Sequence, residues 1–92
     1  MRTDSGAGRL RLAPHVRLTY DKGRQRHVLL TPETVTLLNG TGAAIVALCD
    51  GERTVTEILA ELRGRYARVA DDEVRSFLDG LLARRCVEVS DG

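Results

Sequence analysis

The sequence predicts an α+β fold, with a three-stranded antiparallel sheet near the N-terminus followed by three α-helices. Short runs of alternating or β-branched side chains occupy residues 15–38, and apolar residues recur at helical spacing over residues 43–85. The order is therefore β-β-β-α-α-α, with room for one more short strand at residues 86–89. Helices packed behind a small sheet are typical of a winged-helix-like domain.

The predicted sheet begins with a hairpin. Apolar and polar side chains alternate from His15 to Tyr20, which indicates a half-buried strand. Asp21–Gly23 is a turn signal, and His27–Thr31 is a second apolar run that completes the hairpin. Pro32 ends this strand because it cannot donate a ladder hydrogen bond. The β-branched segment Thr34–Leu38 predicts the third strand.

Capping residues mark the first two helices. Asn39 or Thr41 can cap the first, which we expect to end at Gly51 because glycine readily adopts a left-handed conformation. Thr54 and Glu57 have the spacing of a capping box at the start of the second helix. The apolar residues of these two helices that we expect in the core are Ala43, Ile45, Val46, Leu48, Val55, Ile58, Leu59, Leu62 and Tyr66.

The third helix begins with three acidic side chains, Asp71, Asp72 and Glu73, and we expect Arg84 and Arg85 in its last turn. Acids at the start suit the helix dipole, and we prefer this role to a carboxylate cluster for a hard cation. Counted to Arg85, the net charge is −1. A recognition helix would bring this acidic turn to the phosphates of DNA. DNA binding by this helix is disfavoured, and a winged-helix nucleic-acid regulator is kept as the alternative function.

The length of 92 residues indicates one domain, with residues 1–9 as a disordered lead-in and residues 10–90 as the folded part. Hydrophobic residues make up 42% of the chain and charged residues 29%, as in a globular protein. The longest apolar run, Ala43–Cys49, is far shorter than the ~20 residues of a membrane span. The N-terminus has no apolar core, so we expect no secretory signal and a cytoplasmic protein.

Charge is divided unevenly along the chain. Residues 1–31 carry seven basic and two acidic side chains, a net charge of +5, whereas residues 32–92 carry seven basic and eleven acidic ones, a net charge of −4. Such a chain could steer a charged partner to one end. An arginine-rich composition that reflects genome base content explains the pattern equally well.

Residues that could perform catalysis are scarce. Ser5, Ser76 and Ser90 have no triad-like motif nearby, and no glycine-rich phosphate loop is present. His15 and His27 fall on neighbouring predicted strands, but two ligands without a third make a poor metal site. The sequence therefore predicts no cofactor and no metal.

Two cysteines remain to be explained. Cys49 and Cys86 are not in a CxxC pair, and both have apolar neighbours. We therefore favour buried free thiols. A disulfide, or an enzyme that uses one reactive thiol, is the alternative interpretation.

A binding surface is the function that remains. A small three-stranded sheet leaves open edges, and an extended peptide can add a strand to such an edge. The segment Glu33–Leu38 has no lysine, and the nearest proline, Pro32, stands only at its start, just before Glu33. A groove between this strand and the third helix would offer backbone hydrogen bonds and apolar pockets. The alternative is that the apolar residues of this strand and helix are plain core and that the N-terminal segment or a second copy covers the edge. These residues are Val35, Leu37, Phe77, Leu78, Leu81 and Leu82.

The stretch Leu10–Val89 resembles the PqqD family, the small peptide chaperones of pyrroloquinoline quinone biosynthesis. The resemblance rests on Val16-Arg17-Leu18, on His27–Glu33 (HVLLTPE) and above all on Leu48–Ile58 (LCDGERTVTEI). The segment Asn39–Gly42 departs from the family, which more often has an alanine-rich helix start there.

The resemblance implies a function that is not catalytic. Members of the family resemble RiPP recognition elements, which hold the leader of a ribosomally made precursor peptide as an added strand. The implied peptide is PqqA, and the implied partner is PqqE, a radical SAM enzyme with iron–sulfur clusters. Carried over by position, the peptide-binding residues are Thr34, Val35, Thr36, Leu37, Leu38, Arg75, Phe77, Leu78, Asp79 and Leu82. Membrane association is not expected, and a strand-exchanged homodimer stays open. The basic N-terminal region is a candidate surface for the enzyme.

Overall fold

The computed structural model describes residues 8–90, which form six strands and three helices. The strands are β1 (Arg9–Leu12), β2 (Arg17–Asp21), β3 (Arg26–Leu30), β4 (Val35–Leu38), β5 (Asp50–Arg53) and β6 (Val87–Ser90), and the helices are α1 (Gly40–Leu48), α2 (Val55–Arg65) and α3 (Asp71–Ala83). The three predicted strands correspond to β2, β3 and β4, and the three predicted helices follow them, which confirms the α+β class.

The strands β2, β3 and β4 form an antiparallel sheet with β3 in the centre. On one face Leu18, Leu29 and Leu38 pack in the hydrophobic core. Side chains alternate along each strand, so the remaining ones point the other way. We call this second side the outer face, and its residues are Arg17, Thr19, Asp21, Arg26, Val28, Leu30, Val35 and Leu37.

A second sheet, absent from the sequence prediction, has the order β5-β1-β6. Its central strand β1 pairs Leu12 with Val87 on one side and Arg11 with Asp50 on the other. Arg9 is already the first residue of β1, whereas residues 1–7 of the predicted lead-in lie outside the described part of the chain. The strand predicted near Cys86 is present as β6.

The hairpin turn between β2 and β3 is held by its own side chains. The backbone N–H of Arg24 donates to Oδ1 of Asp21 at 3.1 Å, and its guanidinium donates to Oδ2 at 2.8 Å. Both hydrogen bonds stabilise the charged carboxylate and so lower the pKa of Asp21. The bond from the Arg24 side chain has the larger effect. The left-handed residue of the turn is Gln25 (φ 55°) rather than Gly23.

The cap of α1 is Asn39, whose Oδ1 accepts a hydrogen bond of 2.6 Å from the N–H of Gly42. The expected end at Gly51 is wrong, because α1 ends at Leu48 and Cys49 is its C-cap. Gly51 does have a left-handed φ of 86°, but it lies in β5. It stands where the pairing of β1 with β5 shifts register, a position where a glycine is suited to a bulge.

The predicted capping box at the start of α2 is confirmed. Glu57 N–H donates to the Thr54 hydroxyl at 3.2 Å, and Thr54 N–H donates to the Glu57 carboxylate at 2.9 Å. Four apolar side chains of α2 then enter the core: Val55, Ile58, Leu59 and Leu62. Tyr66, which we expected among them, is the C-cap and is exposed.

The helix α3 has its three acids in the first turn as predicted, with no side-chain cap at Ala70. Its last turn holds no basic residue, which corrects the expectation for Arg84 and Arg85. Arg84 is instead the C-cap, and Arg85 follows in a left-handed conformation (φ 62°). Among residues 8–90, no helix combines the length and apolar character that a bilayer span requires.

We predict that Thr54→Ala lowers the free energy of unfolding by ~1 kcal/mol, since it removes one half of the capping box. Urea unfolding followed by circular dichroism measures the change. Thr56→Ala is the matched control, because Thr56 is exposed on the same first turn and makes no capping bond. Equal stability of the two variants would contradict the capping role.

Candidate functional site

The free edge of β4 presents hydrogen-bonding groups at two residues. The N–H of Thr31 donates to the carbonyl of Thr34 at 3.0 Å, so this pair is of the hydrogen-bonded type. Bonded and non-bonded pairs alternate in an antiparallel ladder. Leu29–Thr36 is therefore bonded, whereas Val35 and Leu37 turn their N–H and C=O groups away from β3. No strand among residues 8–90 pairs with this edge.

The helix α3 lies beside the same strand. A Cβ atom at Gly42 would lie 3.6 Å from both Leu38 Cδ2 and Phe77 Cζ, so the side chains of Leu38 and Phe77 both lie beside Gly42. Further along, Arg84 lines a cavity of about 190 Å³ together with Thr34 and Thr36. Phe77 thus lies near the end of β4 and Arg84 near its start. The space between β4 and this side of α3 is the candidate groove.

A larger cavity of about 410 Å³ lies at the Phe77 end of the groove. Its walls come from the start of α1 and from the connection between α2 and α3, and they include Asn39, Tyr66, Val69, Glu73 and Phe77. Apolar walls with a few polar groups suit a large side chain of a bound molecule.

The structure brings only some of the predicted residues to the groove. The predicted segment Thr34–Leu38, which contains β4, forms one wall, with Val35 57% exposed, Leu37 45% exposed and Leu38 buried. Phe77 contributes to the other wall. Leu78 is 0% exposed, so it supports the helix from within the core and offers no contact surface.

Three predicted residues of α3 lie elsewhere: Arg75, Asp79 and Leu82. A helix advances about 100° per residue, which places all three about 140–160° around α3 from Phe77. They therefore face away from β4. Nη1 of Arg75 is buried and has no hydrogen-bond partner within residues 8–90. Asp79 is exposed, and Leu82 packs partly against the core.

Residues that the sequence analysis missed take their place on the groove side of α3. Glu73, Gly80 and Arg84 lie within about 60° of Phe77 around the helix. A Cβ at Gly80 would meet no atom within 4 Å, so a strand can approach the helix closely there. The spacing of these three residues from Phe77, which is i−4, i+3 and i+7, was available in the sequence. It could be used only once Phe77 was known to face β4.

Among residues 8–90, the other candidate residues are not brought together into a reactive site, and Ser5 lies outside the described part of the chain. His15 lies before β2 and lines the smaller cavity, whereas His27 pairs with Tyr20, so the two histidines are not cross-strand neighbours. Asp71 forms an ion pair with Arg63 of α2. Within residues 8–90, no group of three or more His, Cys, Asp or Glu side chains could hold a metal ion.

Both cysteines are buried free thiols, as the sequence analysis favoured. Burial raises the pKa of the Cys49 thiol to about 12, with a smaller contribution from the negative charge of Asp50. The thiol also donates to the carbonyl of Ile45 at 3.4 Å. A thiol with so high a pKa is a poor nucleophile near neutral pH.

Comparison with known proteins gives the family. The family model for coenzyme PQQ synthesis protein D (PqqD) matches residues 26–87, about two thirds of the chain. This chain belongs to the PqqD family. The resemblance noted from the sequence is thereby confirmed, and the match includes β4 and α3, which form the groove.

Curated relatives in the PqqD family carry a functional name. A PqqA binding protein from Methylococcus capsulatus is 39% identical over 74 residues, which cover 79% of this chain and 80% of the relative. A PqqA binding protein from Rhizobium meliloti is 36% identical over 89 residues, covering 92% and 90%. The bifunctional coenzyme PQQ synthesis protein C/D of Methylorubrum extorquens is 34% identical over 87 residues, covering 91% of this chain and 23% of that protein.

Two solved structures share the fold of this PqqD-family chain. The solution structure of the PqqD truncation of Methylobacterium extorquens PqqCD, a functional and stand-alone RiPP recognition element, superposes with a TM-score of 0.68 at 34% identity, covering 91% of this chain and 93% of that one. The heterocyclase TruD has a TM-score of 0.64 at 21% identity, covering 90% and 12%, and shows likeness of fold alone.

We predict slow modification of Cys49 in the folded protein. With a pKa of about 12, only about one thiol in ten thousand is ionised at pH 8. In a Cys86→Ala variant, Cys49 should react with an aromatic disulfide reagent at least about 100-fold more slowly in buffer than in urea. Equal rates in buffer and urea would contradict this and support a reactive thiol.

Proposed function

We propose that this chain binds the precursor peptide PqqA as an added strand on β4 and presents it to the radical SAM enzyme PqqE in pyrroloquinoline quinone biosynthesis. Membership of the PqqD family and the names of the relatives support the peptide and the pathway. The observation that supports strand addition is the open edge at Val35 and Leu37, which lies beside the groove along α3.

The two walls of the groove recognise different parts of the peptide, its backbone on β4 and its side chains on α3. The outward N–H and C=O groups of Val35 and Leu37 bind any extended backbone, whatever its side chains. Alternate side chains of the added strand then point toward α3, where Phe77 and the two cavities can select them. Open space at Gly80 leaves room for this approach.

The domain itself is proposed to be non-catalytic and to need no cofactor. In this reading the enzyme supplies the chemistry, and the domain supplies affinity and position. Cys49 has a structural role in this proposal, since its thiol is not activated. A cytoplasmic location is part of the proposal, because the peptide is ribosomally made and must meet its enzyme.

A homodimer would compete with this function if it formed through β4. A second copy paired with Val35 and Leu37 would occupy the hydrogen-bonding groups that the peptide requires. The proposed active form therefore has a free β4 edge, whichever oligomeric state the protein adopts by other surfaces.

We predict that Leu37→Pro weakens peptide binding by roughly thirtyfold. The proline ring removes an outward N–H and blocks the edge, which costs about two hydrogen bonds of ~1 kcal/mol each. The bonds between β3 and β4 are kept, because the Leu37 N–H points away from β3. Amide NMR titration with a synthetic PqqA peptide measures the affinity.

The matched control for this test is Tyr20→Pro. Tyr20 also turns its N–H outward, but on the opposite edge of the same sheet in β2. Its peptide affinity should stay within about twofold of the parent protein. If both folded variants bind as tightly as the parent, or both lose binding equally, strand addition on β4 is wrong.

We predict that Gly80→Gln raises stability but weakens peptide binding about tenfold. Replacing glycine inside a helix favours folding by ~0.5–1 kcal/mol, whereas the new side chain fills the approach to the groove. Gly64→Gln is the control, because Gly64 is exposed in α2 and a Cβ there also meets no atom within 4 Å. Thermal unfolding and peptide titration of both variants make the comparison. Equal affinities for the peptide would remove α3 from the site.

A further inference from the structure

The outer face of the β2-β3-β4 sheet carries an apolar cluster that is separate from the core. Val28 is only 2% exposed, yet it is not part of the hydrophobic core cluster. On the outer face, Leu37 lies directly opposite it on β4 and Thr19 lies directly opposite it on β2. Val35 and Leu37 themselves remain 57% and 45% exposed. Among the described residues, this patch on the sheet therefore lies open to solvent.

Two arginines that form no ion pair within residues 8–90 border the same patch. Arg17 on β2 stands opposite Leu30, and Arg26 on β3 stands opposite Asp21. Asp21 already pairs with Arg24 at 2.8 Å, and within residues 8–90 neither Arg17 nor Arg26 forms an ion pair. The face thus combines an apolar centre with two uncompensated positive charges.

The positive charge of the outer face limits the kind of partner that can bind there. A second copy docked face to face about a two-fold axis would bring the same arginines together, and their repulsion would oppose the contact. A nucleic acid would satisfy the arginines but would leave Val35 and Leu37 against sugar and phosphate. A protein surface with an apolar centre and a border of aspartate or glutamate matches both parts.

We propose that the outer face is a docking surface for a folded protein whose contact patch is apolar and bordered by carboxylates. The inference rests on the proposed function, in which the enzyme that receives the peptide is the first candidate. A peptide on β4 would lie next to Val35 and Leu37 and extend the outer face by one strand. A protein docked there meets the domain and the peptide together.

The test compares two double variants of equal net charge. Arg17→Glu with Arg26→Gln changes the outer face and avoids a second acid opposite Asp21. Arg9→Glu with Arg65→Gln makes the same change of charge on β1 and α2, where both arginines are exposed. Binding of purified PqqE and of synthetic PqqA is measured separately by titration calorimetry at about 0.1 M salt.

We expect the outer-face variant to bind PqqE at least tenfold more weakly than the control, while both bind the peptide within twofold of the parent. The loss should shrink at high salt, where the parent also weakens. Equal PqqE affinity in the two variants, equal weakening of both, or no binding by the parent overturns the docking surface. Retention of the parent on duplex DNA that only the outer-face variant loses would reassign the face to nucleic acid and also overturn it. Failure of the parent to bind the peptide counts instead against the proposed function.

Discussion

The short turn from Thr31 to Thr34 sets the register on which the rest of the molecule depends. The bond between the Thr31 N–H and the Thr34 carbonyl fixes how β3 and β4 pair. The Thr34 N–H binds the Thr31 hydroxyl at 3.0 Å, which closes the turn without a longer loop. A slip by one residue would turn Leu38 out of the core and reverse the edge groups. Core packing and the open edge are thus two results of one local constraint.

The helix α3 contacts both the hydrophobic core and the candidate groove. Val74, Leu78 and Leu81 fill the core, which anchors the helix regardless of any ligand. The side that carries Phe77 and Gly80 is left for the groove. Phe77 also packs against the core, whereas Gly80 adds no side chain, so the groove keeps open space beside a helix that the core anchors. Leu78, although central to the helix, is 0% exposed and is hidden from a ligand.

Much of the fold could be predicted because it is local. Alternation over His15–Tyr20 and the Thr54–Glu57 spacing are short-range signals, and both gave elements that the structure contains. The strands β1 and β5 were missed for the opposite reason. Arg11 pairs with Asp50 and Glu88, which are 39 and 77 residues away along the chain. No local pattern in so short a strand predicts pairing with residues that distant.

The candidate site was predictable on the strand but not on the helix. The β-branched run and the lack of lysine indicated an open edge at Thr34–Leu38, and the structure leaves that edge unpaired among residues 8–90. On the helix, the residues carried over by position from the family resemblance include Arg75, Asp79 and Leu82, and these three face away from β4. The rotation of α3 about its axis follows from the packing of Val74, Leu78 and Leu81 in the core, which brings Phe77 beside Gly42. Such contacts exist only in the assembled fold.

The second sheet has a consequence for how such domains are joined to others. Arg9 of β1 is paired with Ser90 of β6, so the described chain enters and leaves the domain at adjacent points, about 5 Å apart between Cα atoms. A domain attached before Arg9 and one attached after Ser90 would emerge side by side. Either order of fusion would therefore attach the added domain at the β5-β1-β6 sheet, which is separate from the β2-β3-β4 sheet. The relative in Methylorubrum extorquens, of which this chain covers 23%, shows that a protein of this family occurs as part of a longer polypeptide.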